Sequence, residues 1–213
     1  MDIYKEGDYQ VVKIGPLGPY GNNAYIISDT GAKQSFIVDM PAESQKVVDS
    51  IGEAKVSGII ATHWHGDHWA DYDLVRAATG APVYVHEAEV RIPPERIDAR
   101  LKDGQEIQIG GLRLRVIHTP GHTPGSICLR VGRVLITGDT LFNGGPGRTA
   151  APEDLQTELR SIAENLLALP PDTLVWPGHG DNTTIADSKQ GYSAFASRQH
   201  TPDLHGDVSW VES

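Results

Sequence analysis

Four residues in one short segment could do metal chemistry: His63, His65, Asp67 and His68 in Thr62-His63-Trp64-His65-Gly66-Asp67-His68. On extended backbone the side chains of i and i+2 point the same way, so His63 and His65 can offer two imidazoles to one ion. A helical zinc motif would need its histidines at i and i+4 instead. Gly66 can take torsions closed to other residues, a turn that would swing Asp67 and His68 towards a second ion. Four donors do not complete two sites, and three more recur in loops. His122 lies in His118-Thr119-Pro120-Gly121-His122, Asp139 in Ile136-Thr137-Gly138-Asp139, and His179 in Trp176-Pro177-Gly178-His179. These seven are what a dinuclear centre with one bridging carboxylate needs. All are N or O donors with no thiolate, a set that suits Zn, Fe or Mn without choosing among them; two divalent ions, zinc first, are expected. The chemistry expected is hydrolysis by a metal-activated water. A thioester suits it, because a thiolate leaves without a strong general acid; the sequence offers no obvious one besides metal-bound water or Asp67.

Such donors converge only if strands fix the bases of their loops. Val56 to Ala61 reads as a buried strand before the histidine segment, and a helix is expected from about Asp71 to Thr79, stopped by Gly80. Leu112, Leu114 and Val116 alternate with Arg113 and Arg115 as a half-exposed strand before His122. Strands are also expected at Ile127 to Val131, at Val134 to Thr137 before Asp139, and at Thr173 to Trp176 before His179. Upstream, Tyr9 to Ile14, Tyr25 to Ser28 and Phe36 to Asp39 look like an antiparallel meander. A short helix around Val47, Val48 and Ile51 follows, and Pro82 to Val85 forms another strand. Pro152 opens a helix with acids in its first turn; Leu155, Leu159, Ile162, Ala163, Leu166 and Leu167 share a face, and Pro170 ends it. No linker or low-complexity segment divides the 213 residues, so one domain over 1–213 is expected.

The net charge of −10, with no basic run, disfavours nucleic acid as a partner. No leader-like segment and no apolar run long enough to span a membrane is present, so no membrane partner and a cytoplasmic location are expected. Cys128 lies in an expected strand and reads as a buried, inert thiol. His118 is expected to bond a backbone group or a ligating carboxylate, His86 to start a helix or sit in the core, and His200 and His205 to lie solvated in a polar tail. The oligomeric state is left open.

Asp39 at a strand end, His63-x-His65-x-Asp67-His68, His122, Asp139 and His179 together resemble the five ordered motifs of the metallo-β-lactamase-fold hydrolases, over residues from about 10 to 190. The resemblance implies an α/β fold, an αββα sandwich of two mixed β-sheets flanked by helices, with the metals at one edge between the sheets. It assigns His63, His65 and His122 to one ion, Asp67, His68 and His179 to the other, and Asp139 to the bridge. Asp39 would support the ligands from behind. Having both His68 and Asp139 argues against β-lactam hydrolysis, since the β-lactamases typically lack one of the two.

Within that fold, Gly138-Asp139-Thr140-Leu141-Phe142 followed by Gly145-Pro146-Gly147-Arg148-Thr149 is similar to the glyoxalase II group, the hydroxyacylglutathione hydrolases. The chain looks like a short, glyoxalase II-like protein without the helical C-terminal domain, with Pro146 and Ala150 departing from the group's pattern. The substrate implied is a small molecule, a glutathione thioester. Arg148 would hold a substrate carboxylate, and Tyr20, Asn22 and Asn23, in an early Gly-rich loop that overlooks the metals in this fold, would face the substrate, Tyr20 and Asn23 foremost. Two other activities fit the same residues: a glutathione-persulfide dioxygenase holding one iron on two His and Asp139, and a lactone hydrolase.

Overall fold

The computed structural model describes residues 1–211; residues 212 and 213 of the expected 1–213 domain lie outside them. The chain first lays down an antiparallel meander of β1 (Asp2–Glu6), β2 (Tyr9–Leu17), β3 (Asn22–Asp29) and β4 (Gln34–Val38). It then switches to parallel pairing through β5 (Lys55–Ile60), β6 (Val83–His86) and β7 (Ala99–Leu101), giving seven strands in sequence order. The first two parallel returns are made by α1 (Gln45–Asp49) and α2 (Tyr72–Thr79), and the third by a loop with a 3-10 turn at Pro94–Arg96. The helix expected from Asp71 to Thr79 is α2, with Gly80 closing it at φ 62°.

The second sheet repeats the plan. β8 (Glu106–Ile109), β9 (Leu112–His118), β10 (Ile127–Val131) and β11 (Val134–Gly138) form a meander. A small hairpin, β12 (Leu141–Phe142) with β13 (Gly145–Pro146), leads to α3 (Pro152–Ser161). Then β14 (Leu174–Pro177) pairs parallel to β11, β15 (Thr183–Thr184) pairs antiparallel to β14, and α4 (Ile185–Ala196) follows.

Period-two alternation explains the layers. All eight residues of β3 are buried. Tyr25 and Ile27 face the core between the sheets with Val38, Ile60, Val116, Leu129, Ile136 and Trp176. Ala24 and Ile26 face the opposite side, where Val47 and Val75 from the helices cover the first sheet. Cys128, Leu135 and Val175 form the outer face of the second sheet, beneath Leu155, Ile162 and Phe195. The order helix, sheet, sheet, helix is the expected αββα sandwich of mixed sheets.

Two expectations need correction. The helix opened by Pro152 is α-helical only to Ser161 and widens into a π turn over Ile162–Leu166, which keeps Ile162, Leu166 and Leu167 buried. The polar tail expected around His200 and His205 packs in part: Val208 and Trp210 are buried against Ile185 and Phe195 of α4, a helix not among the expected elements, in the cluster that covers the second sheet. His200 stacks on Phe195 rather than standing in water, while His205 is exposed. Among the described residues no helix is long and apolar enough to cross a membrane.

Candidate metal centre

The donors follow the C-terminal ends of strands from both sheets at one edge of the sandwich. Asp39 follows β4, the histidine segment follows β5, His122 follows β9, Asp139 follows β11 and His179 follows β14. Gly66 does not adopt the special torsions expected of it; it opens a 3-10 turn over Gly66–His68 that carries Asp67 and His68 inward. A different glycine is required by close approach: a Cβ on Gly178 would lie 2.1 Å from Asp139 Oδ1.

The seven side chains converge. His65 Nδ1 and His122 Nε2 are 2.8 Å apart, and Asp139 Oδ2 lies 3.7 Å from His122 Nε2 and 4.0 Å from His63 Nε2. On the other side, His179 Nε2 is 3.3 Å from both Asp67 Oδ2 and Asp139 Oδ2, and His68 Nε2 is 3.4 Å from Asp139 Oδ1 and 3.5 Å from Asp67 Oδ2. Donors about 2.0–2.1 Å from a tetrahedral ion stand roughly 3.3 Å from one another, so these separations suit a metal. His63, His65 and His122 form one such group, Asp67, His68 and His179 another, and Asp139 groups with His63 and His68. His63 Nε2 and Asp139 Oδ1 are buried with no hydrogen-bond partner. Buried polar atoms are nearly always paired, so these two fit a bound cation.

Hydrogen bonds behind the ring fix which nitrogen faces inward. His122 Nδ1 donates to the Arg148 carbonyl at 2.8 Å and His179 Nδ1 to the Tyr20 carbonyl at 3.0 Å. His68 Nδ1 donates to Asp39 Oδ2 at 2.8 Å, while Asp39 also accepts the Thr62 N–H and hydroxyl. That leaves Thr62 Oγ1 to accept His63 Nδ1 at 3.0 Å. Trp69 Nε1 donates to the His63 carbonyl at 2.8 Å.

Charge is divided unevenly. Burial, helped by the neighbouring His68, holds His63 well below the usual histidine range. Burial and then His122 lower His65 to about 4, and burial also lowers His122. For His68, burial is outweighed by the carboxylates of Asp139 and Asp39, which raise it well above its ordinary value. His179 is raised to about 10 because its hydrogen bonds with Asp139 and Asp67 overcome burial. Asp139 and Asp67 are both depressed despite burial, Asp139 by His68 and His179, and Asp67 by His179, His68 and the Asn22 amide.

A consequence is measurable. Metal can bind the Nε2 atoms of His68 and His179 only by displacing their protons, so loading at neutral pH should release about two protons per chain. Affinity should rise with pH towards about 10, where His179 of the metal-free protein loses its proton. The stabilisation that His179 gives the metal-free fold has the opposite slope, present below pH 6.5 and lost as pH rises through about 10. Calorimetry in buffers of different ionisation enthalpy counts the protons; zero release would show that the cluster is neutral before loading.

The expected substrate residues are placed less simply. Tyr20 is 71% exposed and, with Pro19, Asn22, Ala42, Asp67 and Ala70, lines a cavity of about 360 Å³ beside the centre. Asn23 is buried, and its amide is spent on the carbonyls of Pro177 and Gly180 at 2.9 and 3.0 Å, so it braces the His179 loop and does not face a substrate. Asn22 is the one that reaches the centre, donating to Asp67 Oδ2 at 2.7 Å. The exposed Arg148 guanidinium pairs with Asp207 at 3.3 Å, and only its carbonyl touches a donor residue, His122. His118 donates to the Pro124 carbonyl and stacks on His86, the backbone role expected.

The metallo-β-lactamase superfamily model matches residues 17–179, the stretch that holds every donor. The chain belongs to the metallo-β-lactamase superfamily. A probable metallo-hydrolase of Bacillus subtilis, YqgX, is 36% identical over 193 residues, covering 80% of this chain and 90% of that protein. A hydroxyacylglutathione hydrolase of Cereibacter sphaeroides is 36% identical over 165 residues, covering 74% of this chain and 62% of its own length. Among solved structures, the BLEG-1 B3 metallo-β-lactamase superposes with a TM-score of 0.73 at 30% identity, over 84% of this chain and 96% of that one. The superfamily's members are generally metal-dependent hydrolases, and the His/Asp cluster of this member is its candidate metal site.

Proposed function

We propose that this protein is a dinuclear metallohydrolase that cleaves a thioester, a 2-hydroxyacyl thioester of glutathione being its substrate. The observation that carries the reading is the convergence of seven N and O donors, two of whose atoms, His63 Nε2 and Asp139 Oδ1, are buried without a hydrogen bond. His63, His65 and His122 would hold one ion, Asp67, His68 and His179 the other, and Asp139 both. Two divalent ions there, zinc, iron or manganese, supply Lewis acidity and an activated water.

The chain's own groups do the rest. Asp39, Thr62, Trp69 and the carbonyls of Tyr20 and Arg148 hold His63, His68, His122 and His179 with their Nε2 atoms inward, so little reorganisation is needed during reaction. Asp67 is ionised and fixed by Asn22, which suits it to accept a hydrogen bond from the attacking water and not to protonate a leaving group. A thiolate needs no such protonation, which favours a thioester over an amide. The hydroxyacylglutathione hydrolase similarity and the Gly138 to Thr149 segment support the acyl-glutathione choice.

Protein purified without added metal should carry about two metals per chain and release free thiol from S-lactoylglutathione without oxygen uptake. About one iron per chain with oxygen consumed on a persulfide would replace the reading with a dioxygenase. Rapid opening of lactones or of a chromogenic β-lactam, with no thioester turnover, would move the substrate and leave the hydrolase.

A further inference from the structure

An anionic substrate approaching a chain of net charge −10 needs a cation at the mouth of the site. Arg148 has its partner in Asp207. Arg91, in the segment between β6 and β7, does not: its guanidinium carbon stands 4.6 Å from the centroid of the Trp64 ring, and among the described residues no carboxylate or carbonyl takes its N–H groups. Stacking on an aromatic face leaves the edge of a guanidinium, with its fork of donors, free to grip a carboxylate. Trp64 in turn packs against the His65 ring at 4.4 Å, so only one aromatic ring separates the cation from a metal-facing histidine.

The segment is built to hold Arg91 there. Ile92 beside it is buried in the outer core of the first sheet. Arg100 donates to the Glu89 carbonyl, and the buried Glu89 carboxylate accepts from Thr123 Oγ1 and from the Gly125 N–H, tying the segment to the loop that carries His122. Glu89 is near enough for the charge of Arg91 to act on it, but the two form no hydrogen bond or close ion pair, so the guanidinium N–H groups stay open. A cation on an anchored loop, backed by an aromatic ring and unpaired, is preorganised to bind an anion.

We infer that Arg91, supported by Trp64, is the carboxylate-binding subsite of the protein, holding an anionic end of the substrate on the His65 side of the metal centre. The inference rests on the thioester reading for the substrate's identity. The glycine carboxylate of glutathione, several bonds from its sulfur, is the group of the right chemistry and remoteness.

The test compares S-lactoylglutathione with its diester, in which both carboxylates are capped. The holoenzyme should favour the free acid through KM by roughly tenfold or more, the worth of a charge-assisted pair. Arg91→Ala should erase that ratio, Arg91→Lys should restore part of it, and Arg148→Ala should keep it. Calorimetric binding of glutathione to the metal-loaded protein reads the same contact without turnover, with a Kd about tenfold higher in Arg91→Ala. An Arg91→Ala enzyme that cleaves thioesters with the wild-type KM ratio overturns the subsite and leaves the hydrolase standing. Arg91-dependent glutathione binding without thioester cleavage supports the subsite and overturns the thioester reading. A wild type that neither cleaves the thioester nor binds glutathione overturns both.

Discussion

An Asp139→Asn protein is expected to fold, to hold at most one metal ion per chain, and to lose hydrolytic activity by roughly three orders of magnitude or more. Among the described residues, Asp139 is the carboxylate that faces both groups of donors. Its oxygens lie 3.3 Å from His179 Nε2, 3.4 Å from His68 Nε2 and 3.7 Å from His122 Nε2. Two dications held close together repel strongly, and the shared anion offsets that repulsion. The amide keeps the volume of the carboxylate, which the packing demands because the Gly178 backbone leaves no room beside Oδ1. It cannot supply the charge. In the metal-free variant, His68 and His179 should titrate lower than in the wild type, since Asp139 is a principal cause of their elevation. Elemental analysis, kcat and imidazole NMR titrations read the three effects, with a thermal melt to confirm folding. Two metals per chain with near-wild-type kcat would show that Asp139 does not bridge.

The donors were legible in the sequence because each sits at a strand end, where chain direction and a short loop fix position. Strands buried on both faces, such as Val134 to Ile136, show as unbroken apolar runs, so the residues that follow them are located by pattern alone. Side chains whose direction depends on distant sequence were not legible. Asn22 and Asn23 are neighbours at the start of β3, and alternation sends one to Asp67 and the other to the Pro177 carbonyl; composition cannot say which. Arg148 is turned by Asp207, far along the chain, and Arg91 is placed by a ring from another loop. α4 lacked a clear apolar stripe: only Ile185, Ser188 and Phe195 are buried, and its Gly191 is the spot where Trp210 packs. The π turn after Ser161 changes the hydrogen-bond register while preserving the apolar face, so periodicity read across it as one helix.

The second large effect is expected at Asp39, which touches no metal. It is fully buried at φ 63°, left-handed backbone that Asp and Asn tolerate better than other side chains. Asp39→Ala combines that backbone cost with the loss of the acceptor for the buried His68 Nδ1–H and Thr62 N–H, about 3–5 kcal/mol in the metal-free protein. Asp39→Asn is more informative because it keeps shape and torsion. Oδ1 accepts the Thr62 N–H, and Oδ2 accepts both the Thr62 hydroxyl and His68 Nδ1. An amide nitrogen at the Oδ1 position would meet a backbone N–H that cannot turn away, so it takes the Oδ2 position. The Thr62 hydroxyl can rotate to suit it. The neutral His68 ring can suit it only by moving its proton from Nδ1 to Nε2, the atom that faces Asp139 and Asp67. The ion held by Asp67, His68 and His179 should therefore weaken by about 10- to 100-fold, while the site of His63, His65 and His122 keeps its metal. Metal titration should show one tight and one weak site, with nitrogen NMR of His68 reporting the inverted tautomer. Two equally tight sites in Asp39→Asn would mean that Asp39 only fills space beneath the centre.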